Sequence, residues 1–231
     1  MNLPNSLTVG RIVATPLIAL LPFAGPWQLK ATGFVLYVIA AVTDYFDGVI
    51  ARTRNLVTDL GKLLDPLADK LLLVGTMIPM YILMTAPNDW PAGHIPLIVN
   101  RVDAAFNYQF LTPLGRLPLP FAIVAVIIGR EAFMTWFREV AKRRGMVIAA
   151  IGPAKWKTAM QSIWVGAAYF WIAASATATQ LHWENPYWSA FANFNGIVGV
   201  LSMITAFVLT LYSWWLYMRR YGHVVFGDRA R

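Results

Sequence analysis

The chain has no cysteine, so neither a disulfide framework nor a thiolate metal site is open to it. Charge is scarce too. Asp, Glu, Lys and Arg make up 13% of 231 residues, against roughly 25% in soluble domains. Disorder requires low hydrophobicity with high charge, and 58% of this chain is apolar. An ordinary soluble enzyme is excluded by the same shortage, because so few charges cannot cover its surface. Internal repeats and low-complexity runs are missing too. Acidic groups are the rarest charge, 11 against 19 basic ones.

What is present is hydrocarbon. The mean hydropathy of +0.55 points to a bilayer. Six stretches lack Asp, Glu, Lys and Arg: 12–29, 31–43, 71–88, 117–129, 158–183 and 185–218. About 20 helical residues cross a ~30 Å hydrocarbon core. The spacing predicts six spans near 8–25, 31–51, 63–85, 117–136, 158–179 and 194–217. The second and fourth reach that length only by including Asp44 and Asp47, or Arg130 and Glu131. The expected fold class is all-α, a polytopic integral membrane protein with six transmembrane helices in a single domain over 1–231. Lys and Arg concentrate in 51–62, 137–157 and 219–231, leaving Lys30, Arg101 and Arg116 on the other side. By the positive-inside rule both termini are cytoplasmic. The +8 net charge is then mainly a topology signal, and nucleic acid is not an expected partner. Span 1 has no basic n-region and reads as a signal anchor, not a cleaved peptide. Trp27, Trp136, Trp156, Trp183 and Trp188 lie near span ends as interfacial anchors. An outer loop covers about 86–116, with a short surface helix expected near 100–111.

The informative residues are the ionisable ones that interrupt this pattern, since an intramembrane charge is costly and marks function. Span 2 ends with Asp44 and Asp47, three apart; span 3 begins with Asp65 and Asp69, four apart. Each pair shares one helix face. The short connection 52–62 makes the helices antiparallel neighbours, so the four carboxylates converge near the cytoplasmic boundary. Together in a low-dielectric site they need compensating charge. Salt bridges to Arg52, Lys62 and Lys70 are one source. Hard divalent cations such as Mg²⁺ or Mn²⁺ are the other, favoured by all-oxygen ligation without His or Cys. Two such ions suit in-line displacement at phosphorus. Gly48, one turn away, lets a flat ligand or a neighbouring helix approach the backbone.

Asp44, Asp47, Gly48, Ala51, Arg52, Gly61, Asp65 and Asp69 spell D-x2-D-G-x2-A-R-x8-G-x3-D-x3-D. This run resembles the signature of the CDP-alcohol phosphotransferase family at every fixed position. The resemblance implies a six-helix membrane enzyme, usually a homodimer with two divalent ions (Mg²⁺ or Mn²⁺), that transfers a phosphatidyl or related group from a CDP-linked donor to an alcohol and releases CMP. It implies that Asp44, Asp47, Asp65 and Asp69 hold metal, with Asp69 the general base. Gly48, Ala51 and Arg52 would border the nucleotide, and Gly61 would shape the start of span 3.

Two further regions resemble the phosphatidylglycerophosphate synthases of that family. One is Pro4-Asn5, Leu7-Thr8 and Arg11, ahead of span 1. The other is Gly129-Arg130-Glu131 with Arg138, then Lys155, Lys157, Thr158 and Gln161. The Pro153-Ala154 pair after Gly152 and the long outer loop depart from the usual pattern. The implied donor is CDP-diacylglycerol, contacted in part by Asn5 and Thr8, which in the plainer alternative, together with Arg11, cap the first helix. The implied acceptor is glycerol 3-phosphate. Its phosphate requires a cationic pocket, for which Arg130, Arg138, Lys155 and Lys157 are the candidates; Arg130 could instead pair with Glu131. Inositol phosphate, or phosphatidylglycerol for cardiolipin synthesis, are alternative acceptors of the same chemistry. A divalent-cation transporter is a remote alternative, because transporter sites lie near the midplane between repeats. The expected location is a bacterial inner membrane, with membrane lipids around it and the active site facing the cytoplasm.

Overall fold

A computed structural model describes residues 3–53, 58–85, 110–112, 115–117, 121–148, 152–183 and 186–227. Six helices dominate: α1 (Leu3–Leu20), α2 (Trp27–Thr53), α3 (Asp59–Thr85), α4 (Phe121–Arg143), α5 (Gly152–Gln180) and α6 (Pro186–Phe226). A 3-10 turn, Leu21–Phe23, follows α1. The strands β1 (Phe110–Thr112) and β2 (Gly115–Leu117) form a small antiparallel hairpin, pairing Phe110 with Leu117. The helix expected near 100–111 is therefore corrected at residues 110 and 111, which are strand; 86–109 lie outside the described residues.

The helices run past the predicted spans because polar residues continue them beyond the apolar core. Thr58 caps α3: its Oγ1 accepts a hydrogen bond from the Gly61 N–H at 3.0 Å, which satisfies an orphan donor of the first turn. Helix α4 starts at Phe121, not 117, just past Pro118 and Pro120, and extends to Arg143. There Gly145 at φ +79° ends it, with Met146 N–H donating to Ala141 O and Gly145 N–H to Lys142 O, both at 3.0 Å. His182 takes the same left-handed position after α5, at φ 50°. Helices α5 and α6 begin at Gly152 and Pro186, which places Pro153 and Pro186 in first turns, where a missing N–H costs little. Helix α1 starts at Leu3 and ends at Leu20, ahead of Pro22, Gly25 and Pro26.

Helix α1 packs on α2 and α3, α5 on α2 and α6, and α4 on α6. The larger core cluster gathers Ile18, Tyr37, Met77, Met80, Trp164 and Tyr169, and the smaller one Met134, Phe137, Ala141 and Tyr217. Small residues permit close approach, as is common between membrane helices. A Cβ on Gly75 of α3 would meet Thr15 Cγ2 of α1 at 2.7 Å. Polar groups tie helices together: Tyr37 OH donates to Ser162 O at 2.8 Å and Asn195 Nδ2 to Ala167 O at 3.2 Å.

Among the described residues, three helices are long and apolar enough to cross a membrane, within Pro4–Phe23, Leu63–Met84 and Pro186–His223. Charged residues interrupt the other three, or, in α5, Ser, Thr and Gln dilute the apolar run. Val13, Leu17, Leu20, Val35, Ile39, Leu201 and Val208 are each more than half exposed. So broad an apolar exterior is out of place in water and suits lipid.

Candidate active site

The ion pairs between helices gather at one end of the bundle. That end holds the first turns of α1, α3 and α5 and the C-terminal halves of α2, α4 and α6, so successive helices alternate in direction. Asn5, Thr8, Arg11 and Thr15 form a polar stripe along α1, and each is at most 6% exposed. Thr8 Oγ1 donates to Asp65 Oδ1 at 2.9 Å, with the Pro4 carbonyl 3.1 Å away. Arg11 forms a close ion pair with Asp44 and reaches Asp69 Oδ1 at 3.3 Å. One guanidinium from α1 thus clasps carboxylates of α2 and α3. These residues lie inside α1, which corrects the expectation that they cap it: a cap residue would precede the first turn, and α1 starts at Leu3.

Asn5 and Thr58 exchange hydrogen bonds at 3.0 and 3.1 Å. This joins the start of α1 to the cap of α3. A Cβ on Gly61 would come within 2.9 Å of Asn5 Oδ1 and 3.2 Å of Thr58 Oγ1. The glycine one turn before Asp65 therefore makes room for the clamp. Thr58 was missed in the sequence, although Thr-Asp ahead of an apolar helix is a legible start signal.

Asp44 and Asp69 meet at the same Arg11 Nη1. Their side chains are 42% and 59% exposed, while Arg11 is buried. Residues 47, 48, 51 and 52 continue α2, but the side chains of Asp47, Ala51 and Arg52, and the surroundings of Gly48, lie outside the described residues. Among the described residues no three acidic side chains stand close enough to enclose an ion; Asp65 is turned to Thr8 and the other two to Arg11. The donor chemistry nevertheless fits a hard divalent cation. The donors are all carboxylate oxygens, and one guanidinium meets Asp44 and Asp69 while Asp65 has only the Thr8 hydroxyl, which leaves negative charge to be offset.

A second cluster faces the first. Glu131 Oε1 accepts from Arg130 Nη1 at 2.8 Å and forms a close ion pair with Lys157. Arg130 and Lys157 are each 3% exposed. Arg130 Nη2 also donates to Ser213 Oγ at 3.1 Å. The Tyr217 ring lies under both Arg130 and Arg138, with Cζ 5.8 and 5.7 Å from its centroid. Lys155 is exposed and lies outside the cavity wall described next. Of the four basic candidates, the structure brings Arg130, Arg138 and Lys157 together and leaves Lys155 apart. Ser213 and Tyr217, about 80 residues downstream of Arg130 and Arg138, carried no sequence signal.

A cavity of about 170 Å³ connects the clusters. Asp44, Asp69 and Lys70 line one side, Glu131, Lys157 and Gln161 the other, and Tyr37, Leu72 and Val165 close its depth. The Asp44 and Asp69 carboxylates thus share one small chamber with the Glu131–Lys157 ion pair, which Arg130 backs from behind the wall.

A model of the CDP-alcohol phosphatidyltransferase family matches residues 1–212. The chain is 35% identical over 176 residues to a CDP-diacylglycerol–glycerol-3-phosphate 3-phosphatidyltransferase of Rickettsia bellii, covering 76% of this chain and 89% of that protein. A protein of the same name from Bacillus subtilis is 35% identical over 178 residues, 72% of this chain and 75% of its own. A cardiolipin synthase (CMP-forming) of Oryza sativa is 35% identical over 167 residues, 70% of this chain and 43% of its own.

Proposed function

Because this chain belongs to the CDP-alcohol phosphatidyltransferase family, we propose that it transfers the phosphatidyl group of CDP-diacylglycerol to glycerol 3-phosphate, giving phosphatidylglycerol phosphate and CMP. The observation that carries this reading is the single cavity whose walls join Asp44 and Asp69 to Glu131 and Lys157. Its acidic side suits the metal-dependent reaction of a pyrophosphate, and the buried cations beyond it suit an acceptor that itself carries phosphate.

In the proposed reaction the acceptor's primary hydroxyl oxygen bonds to the phosphorus bearing the diacylglycerol. The bond from that phosphorus to the CMP oxygen breaks, and the hydroxyl proton passes to an Asp69 oxygen. Asp69 suits this role because it is 59% exposed while Arg11 orients it from behind. Asp44, Asp47, Asp65 and Asp69 would hold two divalent ions, which supply charge to offset that on the pyrophosphate and the departing CMP. Gly48, Ala51 and Arg52 border the nucleotide, with Asn5 and Thr8 beside it. Arg130, Lys157 and Arg138 receive the acceptor phosphate, with Lys155 an outer contributor.

The reading includes six membrane spans with both termini in the cytoplasm of a bacterial inner membrane. The alternating helix directions, the apolar exterior and the Lys/Arg bias support it. Trp136 and Trp156 toward the site end, and Trp183 toward the other, are exposed as interfacial anchors would be. The family resemblance further supports a homodimer. A boundary site lets a lipid donor keep its acyl chains in the bilayer while its headgroup reaches the acidic cluster.

The test supplies purified protein with CDP-diacylglycerol, Mg²⁺ or Mn²⁺, and one labelled acceptor at a time. CMP release with glycerol 3-phosphate is expected. Release with inositol phosphate or phosphatidylglycerol, but not with glycerol 3-phosphate, overturns the acceptor. No release with any alcohol overturns the reaction.

A further inference from the structure

Glu131 is out of place in a pocket built only for phosphate, because a carboxylate beside a bound dianion is repulsive. Its geometry suggests another task. Both cations converge on one oxygen: Arg130 Nη1 and Lys157 Nζ bind Oε1. Among the described residues, the second oxygen, Oε2, accepts no hydrogen bond. The side chain is 26% exposed and lines the cavity shared with Asp44 and Asp69. A partly buried carboxylate oxygen is acceptor-only and favours a ligand that brings a donor. Nearby hydroxyls are turned to their own helices, with Thr76 donating to Leu72 O at 2.7 Å and Thr158 to Ala154 O at 3.2 Å.

We propose that Glu131 determines acceptor specificity: Oε2 accepts a hydrogen bond from the hydroxyl next to the attacking one, so the site selects a vicinal diol carrying a phosphate. This rests on the function proposed above. Oε1 keeps Arg130 and Lys157 aimed at the phosphate, Oε2 holds the C2 hydroxyl, and the C1 hydroxyl is left to face Asp69. The phosphate and the C2 hydroxyl of glycerol 3-phosphate then have partners on one side of the cavity, and the C1 hydroxyl faces the carboxylate on the other. An acceptor lacking the C2 hydroxyl leaves Oε2 without a donor in a desolvated site, and that penalty is the discrimination.

The experiment compares glycerol 3-phosphate with 3-hydroxypropyl phosphate, which keeps the primary hydroxyl and the phosphate but lacks the C2 hydroxyl. CMP release is measured with wild type, Glu131→Ala and Glu131→Gln in detergent, with kcat and KM separated. Wild type should prefer glycerol 3-phosphate by at least about 10-fold in kcat/KM, the worth of one hydrogen bond to a charged group. Glu131→Ala should bring that ratio close to one. Glu131→Gln, which preserves shape and one weaker acceptor, should cut it at least about threefold and serves where the alanine variant does not fold. A ratio within about twofold of wild type in every variant that folds, with both acceptors weakened alike, means that Glu131 only holds Arg130 and Lys157, and overturns the proposal. Equal use of both acceptors by wild type also overturns it. CMP release with neither acceptor instead sinks the proposed function, so the two failures are distinguishable.

Discussion

Replacing Gly61 by Ala tests whether the clamp between α1 and α3 builds the acidic site. Helix propensity alone predicts a gain, since Ala is better than Gly in a helix by up to about 1 kcal/mol. The structure predicts a loss. The new Cβ would lie 2.9 Å from Asn5 Oδ1 and 3.2 Å from Thr58 Oγ1, closer than carbon and oxygen tolerate. Asn5 and Thr58 cannot both retreat without breaking their mutual hydrogen bonds and the cap on the Gly61 N–H. Overpacking costs about 1–3 kcal/mol, and a lost cap about 1 kcal/mol more. Against the propensity gain, the net is a destabilisation of roughly 1–3 kcal/mol. Activity should fall further than stability, because Asp65 follows Gly61 by one turn and its 2.9 Å bond to Thr8 depends on the same contact. A displacement near 1 Å at a reacting centre costs on the order of 100-fold. The assay is thermal unfolding in detergent alongside CMP release. Adding Asn5→Ala removes the tighter clash, so the double variant should be more stable than the sum of the single effects. Gly61→Ala that is as stable as wild type or more so, with unchanged turnover, refutes the clamp.

Three further outcomes follow from the same geometry. Asp69→Asn should lower CMP release by at least about 1,000-fold while donor binding, measured by equilibrium dialysis with labelled CDP-diacylglycerol, is retained; near-normal turnover removes Asp69 as the base. Arg11→Gln takes a guanidinium from between Asp44 and Asp69, so its melting temperature should become more dependent on Mn²⁺ than that of wild type; an unchanged difference between chelated and Mn²⁺-loaded protein contradicts Arg11 as the internal counter-ion. Gly75→Ala should destabilise by about 1–3 kcal/mol through contact with Thr15 Cγ2, and Thr15→Ser, which deletes that methyl, should restore most of the loss in the same unfolding assay.

The legible part of this protein is what one helix records on its own. Apolar runs, extended through Asp44 and Asp47 in α2 and through Arg130 and Glu131 in α4, mark all six helices, and the three- and four-residue spacings put Asp44 with Asp47 and Asp65 with Asp69. Helix ends were less legible. α4 continues through Arg138 and Lys142 to a glycine cap at Gly145, because a charged helix turn needs no lipid to be stable. The strands Phe110–Thr112 and Gly115–Leu117 are three residues each, too short for alternation to set them apart from loop or helix.

Sequence alone determined the low-dielectric setting, the acidic signature and the basic residues that answer it, because composition and helical period are local properties. Tertiary structure decided which of them meet. Arg11 joins Asp44 and Asp69 across 33 and 58 residues, and Lys157 joins Glu131 across 26. No period encodes those pairings. They follow from how closely helices approach, which rests on small contacts such as Gly75 against Thr15 and Gly61 beneath Asn5 and Thr58. The scarce charges announce a site in the sequence; helix packing turns them into one chamber, with Asp44 and Asp69 on one wall and the Glu131–Lys157 ion pair on the other.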